Sequence, residues 1–258
     1  MVKMCEYLIG QIGACILFLG EVLRVARYRP CSFNSVASQI VRVTEQSLAI
    51  TALAGFFVGA IMTMQFTLQV KAFGALGYLG GLATSATIRE VGPLLIAFLL
   101  SGKVGAFTSA ELGTMCVTEQ IDAVRCLGAN PIQEIILPRF IGILVSSCFL
   151  LVVGLFMSIF GGLLLGIFFS GINGDEYLRF IPTIVNWQSI VSGLMKCLVF
   201  AFVLASICTF MGYTTTGGAK GVGRAVVNTA VATMVGIVIA DWFTSFIGDI
   251  ITTLYVGE

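Results

Sequence analysis

The chain has 258 residues, of which 58% are apolar and only 10% charged, with a formal net charge of +1 and a mean hydropathy of +1.03. A soluble domain carries roughly 25% charged residues, so this composition excludes a water-soluble fold and predicts a protein that crosses a bilayer several times. The near-zero net charge and the lack of any Lys/Arg run exclude a nucleic-acid surface.

The first apolar run, Tyr7 to Leu19 behind Lys3, lacks a small-residue cleavage site and passes into a basic stretch, Arg24, Arg27 and Arg29, that stops at Pro30. Residues 4–28 therefore read as an amino-terminal helix lying in the membrane interface, with a full span as the alternative. Five transmembrane spans follow, predicted at 47–70, 88–110, 140–169, 187–213 and 225–247, each close to the roughly 20 residues that a ~30 Å hydrocarbon core demands. The first contains Gly55 and Gly59, a GxxxG face that admits another helix, from this chain or from a second copy. Glycine-rich residues 73–81 and 214–224 read as turns, and 171–186, with Asp175, Glu176, Arg179 and Pro182, as a short loop. The predicted fold class is all-α, a polytopic integral membrane protein forming a single membrane domain over 1–258.

Between the second and third spans, residues 111–139 are charged and must face water. Thr118 can cap a short helix at 116–128 whose apolar positions Ile121, Val124 and Leu127 lie on one side, and Gly128 can end it. Such a helix suits a groove on a soluble partner, or else rests on the membrane surface. Counting Lys and Arg alone, an inside amino end gathers Lys3, Arg24, Arg27, Arg29, Arg42, Arg125, Arg139, Lys220 and Arg224, against only Lys71 and Arg179 outside. The amino end is thus expected in the cytoplasm and the carboxyl end on the far side.

The chain has no histidine, which removes the commonest general base and zinc ligand. Its eight cysteines (Cys5, Cys15, Cys31, Cys116, Cys126, Cys148, Cys197 and Cys208) include no CxxC pair and read as small hydrophobes. No GxxxxGK(S/T) phosphate loop occurs, so no ATP or Mg cofactor is expected in this chain. An intramembrane charge is costly and marks a functional site when a partner can be named. Lys196 and Asp241 fall at comparable depths in the last two spans, about 14 and 9 Å from their outer ends, and can meet, as a cargo-path pair or as a lock between helices. Glu90, beside Arg89 and just before Gly92-Pro93, falls in the same outer half of its span.

These residues carry a family resemblance. The string Arg89-Glu90-Val91-Gly92-Pro93, then Gly102-Lys103-Val104-Gly105-Ala106, Ala110-Glu111-Leu112-Gly113-Thr114-Met115, Val117-Thr118-Glu119-Gln120-Ile121-Asp122-Ala123 and Asn130-Pro131-Ile132 resembles the MlaE-type (YrbE-type) permeases of bacterial MCE lipid-transport systems. The resemblance implies a homodimeric inner-membrane permease bound to two cytoplasmic ABC ATPases, which hold the ATP and Mg. It further implies an MCE-domain protein, often a STAS-domain protein, and a phospholipid or related lipid as cargo. It makes Glu119, Gln120, Ile121, Asp122 and Val124 part of the coupling helix, and matches Glu90, Lys196 and Asp241 to the family's intramembrane Glu, Lys and Asp. Two positions depart from the pattern: Lys103 and Cys116 stand where the family usually has Arg. An ion-coupled secondary transporter and a membrane-embedded lipid-modifying enzyme are the rival readings. The missing histidine and the expected lack of a second carboxylate near Asp241 argue against the enzyme, and the absence of paired broken repeats against the secondary transporter.

Overall fold

The computed structural model describes residues 2–28 and 32–256; Arg29 and Cys31, and the stop expected at Pro30, lie outside the described residues. No strand occurs among the described residues. Helix α1 (Val2–Tyr28) is followed by α2 (Phe33–Ala72), α3 (Leu76–Val117, an α-helix interrupted by tighter and wider turns), the short α4 (Gln120–Cys126) and α5 (Ile132–Ser170). Two short helices, α6 (Gly174–Arg179) and α7 (Ile181–Ile184), precede α8 (Trp187–Tyr213) and α9 (Gly218–Val256). Helices α2, α3, α5, α8 and α9 are each long and apolar enough to cross a membrane. The chain is an all-α polytopic membrane protein.

Four of the five long helices extend well beyond the predicted spans, because hydropathy marks only the segment that fits the hydrocarbon. Helix α2 begins at Phe33 rather than 47 and so includes Arg42 and Glu45. The predicted turn at 73–81 is much shorter. Only Gly74 takes a positive φ, of 65°, and the chain is helical again from Leu76. The remaining glycines serve packing instead: a Cβ on Gly80 would overlap the Tyr177 carbonyl, and one on Gly81 would come 2.6 Å from the Phe180 oxygen. The predicted loop at 171–186 is largely α6 and α7, held by buried Tyr177, whose hydroxyl lies 3.2 Å from Thr63 Oγ1. At 214–224 the turn is confined to the residues before Gly218, with positive φ at Gly217 and Gly218.

The chain forms two compact units. In the unit made of Thr44–Leu100, Ser147–Ala201 and Ile237–Glu258, α2 and α5 cross at glycine faces. A Cβ on Gly55 would collide with the Gly154 carbonyl, one on Gly59 with that of Ser158, and one on Gly161 with that of Phe56. The partner of the GxxxG face is therefore α5 of the same chain. In the other unit, Met1–Val43, Ser101–Ser146 and Phe202–Gly236, α1 packs on the start of α5 through its buried side and stacks Phe18 near Phe210 and Tyr213, at 5.8 and 5.5 Å between ring centroids.

Candidate functional site

In the first of these units a buried cation is set among three helices. Helix α3 widens into a π turn at Thr87–Val91, where the Gly92 N–H bonds to the Thr87 carbonyl five residues back. Pro93 follows directly and has no N–H to give, so the next link of a regular ladder is missing in any case, and the Thr87 hydroxyl takes the Ala83 carbonyl at 2.7 Å. The widened turn carries Arg89 and Glu90. Helix α8 reaches it through Gly193, where a Cβ would stand 2.6 Å from the Ile88 oxygen. One turn later on α8 comes Lys196.

The Lys196 side chain is 1% exposed, yet its ammonium is fully surrounded by acceptors. It donates to Glu90 Oε2 at 2.7 Å and to Ser245 Oγ at 2.8 Å, and pairs with Asp241 Oδ1 at 2.8 Å. The Asp241 contact is an ion pair without hydrogen-bond alignment, since Oδ1 has no hydrogen-bond partner. Ser245 in turn lies 3.3 Å from Glu90 Oε1, bridging the carboxylate to the ammonium. The two acids differ in environment: the Asp241 side chain is 17% exposed, that of Glu90 51%. A buried ammonium is thus neutralised by one enclosed and one open carboxylate, and the open one can meet an amphipathic molecule. Arg89 is turned to Asp249, 3.7 Å away, with both side chains well exposed.

The expected meeting of Lys196 with Asp241 is present, and Glu90 joins it on the same ammonium, so that, contrary to expectation, a second carboxylate does stand near Asp241. Ser245 and Asp249 were absent from the predicted set. Their spacing carried a signal, because Asp241, Ser245 and Asp249 recur at i, i+4 and i+8 and so share one side of α9.

The predicted coupling residues form a separate group on the other unit. The helix spans only Gln120–Cys126, not 116–128. Thr118 does not cap it, for its hydroxyl bonds back to the Thr114 carbonyl at 2.8 Å, and the break comes from Glu119, which adopts a left-handed φ of 59°. Gly128, at φ 79°, closes the other end: its N–H reaches the Arg125 carbonyl and that of Ala129 the Val124 carbonyl. Of the apolar stripe, Ile121 is buried in the chain's own core, Val124 is half-buried and Leu127 is 85% exposed. Glu119, Gln120 and Asp122 are exposed. Arg125 ties the helix to the end of α8, donating to the Tyr213 hydroxyl at 2.6 Å and to Asp122 Oδ1 at 2.8 Å. Tyr213 first, and Asp122 after it, raise the Arg125 pKa above its already high value, so this cation persists at any physiological pH. Cys116 places its thiol at the Gly212 and Tyr213 carbonyls, 3.5 and 3.2 Å away, and so meets the end of α8 without a cation.

Five membrane-capable helices, three of which meet at an ionic cluster, define a polytopic membrane protein. Residues 36–247 match the family described as Permease MlaE. A probable ABC transporter permease protein of Rickettsia typhi is 32% identical over 232 residues, 90% of each chain. A probable ABC transporter permease protein of Synechocystis is 34% identical over 237 residues, 92% of this chain and 90% of the relative. The intermembrane phospholipid transport system permease protein MlaE of Haemophilus influenzae is 30% identical over 200 residues, 77% of each. This chain belongs to the MlaE permease family, and is a transporter subunit rather than a catalytic enzyme.

Proposed function

We propose that the chain is the membrane-spanning permease of an ATP-driven ABC transporter that moves phospholipid or a related lipid between the inner membrane and an MCE-domain partner. The observation that carries this reading is the match to Permease MlaE over residues 36–247, together with a relative whose name is that of a phospholipid transport permease. The permease works as a homodimer with a separate ABC ATPase, which binds the ATP and Mg, and a STAS-domain protein is a further partner. Its amino end faces the cytoplasm and the carboxyl end is periplasmic, an orientation supported by the asymmetry of Lys and Arg between the two sides, and α1 lies in the membrane interface.

Glu90, Lys196 and Asp241, with Arg89 beside them, line the lipid path. Glu90 offers the cargo a half-open carboxylate whose position is fixed from behind by Lys196 and Ser245. Helix α4 is the coupling helix. Because Ile121 is committed to the chain's own core, the docking contact falls to the exposed side, with Glu119, Gln120, Asp122 and Leu127 foremost and Val124 at its edge.

The reading is tested by co-purifying the permease with its ATPase and following lipid transfer from reconstituted vesicles. ATP-dependent transfer of phospholipid is the expected result. Transfer driven by an ion gradient without ATP would replace this reading with secondary transport. Leu127→Asp places a charge on the docking side without disturbing the buried Ile121. It is expected to lower capture of the ATPase by about tenfold or more, as loss of a central apolar anchor does, with membrane abundance unchanged. Undiminished capture would remove α4 from the docking surface.

A further inference from the structure

At the ends of α2, α3 and α5, in the unit that also contains α4, two guanidinium groups converge on a single carboxylate oxygen. Arg42 Nη1 donates to Glu111 Oε1 at 2.9 Å, and Arg139 Nη2 pairs with the same oxygen at 3.2 Å. Close helix packing enforces this crowding of like charges: a Cβ on Gly142 would stand 2.7 Å from Gln39 Cβ, and the Ser146 hydroxyl donates to the Ile40 carbonyl at 3.1 Å. Helices α2 and α5 therefore touch one turn from each arginine.

The protein leaves both arginines underused. A guanidinium presents a planar fork suited to two oxygens at once, yet each of these meets Glu111 through one nitrogen. The Arg139 side chain is only 11% exposed, and its Nε is buried without a hydrogen-bond partner among the described residues. Leaving a charged donor unmet in such a place is costly, and a missing anion is a standard reason for it. One carboxylate against two guanidiniums also leaves a net charge of +1. The cluster is open on the Arg42 side, where that side chain is 44% exposed and its guanidinium lies 5.3 Å from the centre of the Phe107 ring, itself 42% exposed.

Depth identifies the occupant. Helices α2, α3 and α5 contain 40, 42 and 39 residues, each about 60 Å long, whereas a bilayer with its headgroups is about 40–45 Å thick. Arg42, Glu111 and Arg139 lie roughly 9 to 14 Å in from the nearest ends of their helices, which in a bilayer centred on those helices is the level of lipid phosphates in one leaflet. We propose that Arg42 and Arg139, held around Glu111, form an anion site that takes the phosphate of a membrane lipid, with its acyl chains on the Phe107 side. The site is distinct from the Lys196 cluster and does not depend on the transport reading.

Native mass spectrometry of the full chain in detergent, with phosphatidylglycerol, diacylglycerol or inorganic phosphate added, tests this. Phosphatidylglycerol should be retained well above diacylglycerol, and Arg42→Gln, at the open side, should reduce that retention by about tenfold, the size of one charge-assisted contact. Arg139→Gln should do the same where it folds. Glu111→Gln should retain the phospholipid at least as well as the natural chain, because the competing carboxylate is gone; a purely structural ion lock would instead lose stability with no gain in binding. Lys71→Gln, which removes an exposed cation outside the cluster, should leave this retention unchanged, so that a loss in Arg42→Gln is not an effect of net charge. Equal retention by the natural chain and Arg42→Gln, or no preference for phosphatidylglycerol over diacylglycerol, overturns the proposal. Capture of inorganic phosphate with no such lipid preference also overturns it, since the occupant would be a free anion.

Discussion

Lys196→Met is expected to reduce the amount of folded permease in the membrane severely, and more than either acid-to-amide change at its partners. The substitution leaves Asp241 enclosed with no cation, and breaking one member of a buried pair typically costs about 3 to 5 kcal/mol. That is a large part of the roughly 5–15 kcal/mol by which folded proteins are usually stable. Glu90→Gln should be milder, because the Glu90 side chain is half-exposed and Lys196 keeps Asp241. Combining Lys196→Met with Asp241→Leu removes the enclosed pair and leaves Glu90 where solvent or headgroups can satisfy it, so abundance should recover. Lipid transfer should not recover if the cluster lines the path. Immunoblots of membrane fractions, read beside transfer from reconstituted vesicles, separate the two roles. Full transfer by the double variant would reduce the cluster to a lock between α8 and α9.

Gly59→Val is expected to be at least as damaging, for a steric reason. The added side chain would have to occupy the space of the Ser158 carbonyl, and a backbone carbonyl inside α5 cannot rotate away. Overpacking in a yielding core costs about 1 to 3 kcal/mol, and a clash with helix backbone belongs at or above the top of that range. The α2 and α5 glycine faces should separate, with loss of folded protein in detergent by size-exclusion chromatography. Gly223→Ala is the control, since a Cβ there meets nothing within 4 Å and alanine favours the helix by about 0.5 to 1 kcal/mol. Equal behaviour of the two variants would show that this crossing contributes little.

The sequence by itself determined that this is a polytopic membrane protein. Five apolar stretches of spanning length leave no soluble alternative, because hydropathy depends only on the residues in each stretch and not on what they touch. It also singled out Glu90, Lys196 and Asp241, since a charge inside such a stretch is conspicuous without any knowledge of its neighbours. The Arg89 to Ile132 motifs resemble the family that the comparisons then showed.

Only the tertiary structure decided which residues complete the cluster. Ser245 is too ordinary in a polar sense to be noticed until Lys196, 49 positions away, is seen to donate to it. The π turn that presents Glu90 has no hydropathy signature, as it changes the backbone ladder and not the composition. The amphipathic pattern in α4 could not say which medium its apolar side meets, and the fold gave Ile121 to the core and Leu127 to the outside. In the same way, a GxxxG face specifies that something approaches closely, while the identity of the approaching helix, α5 of the same chain, depends on long-range packing that no local pattern encodes.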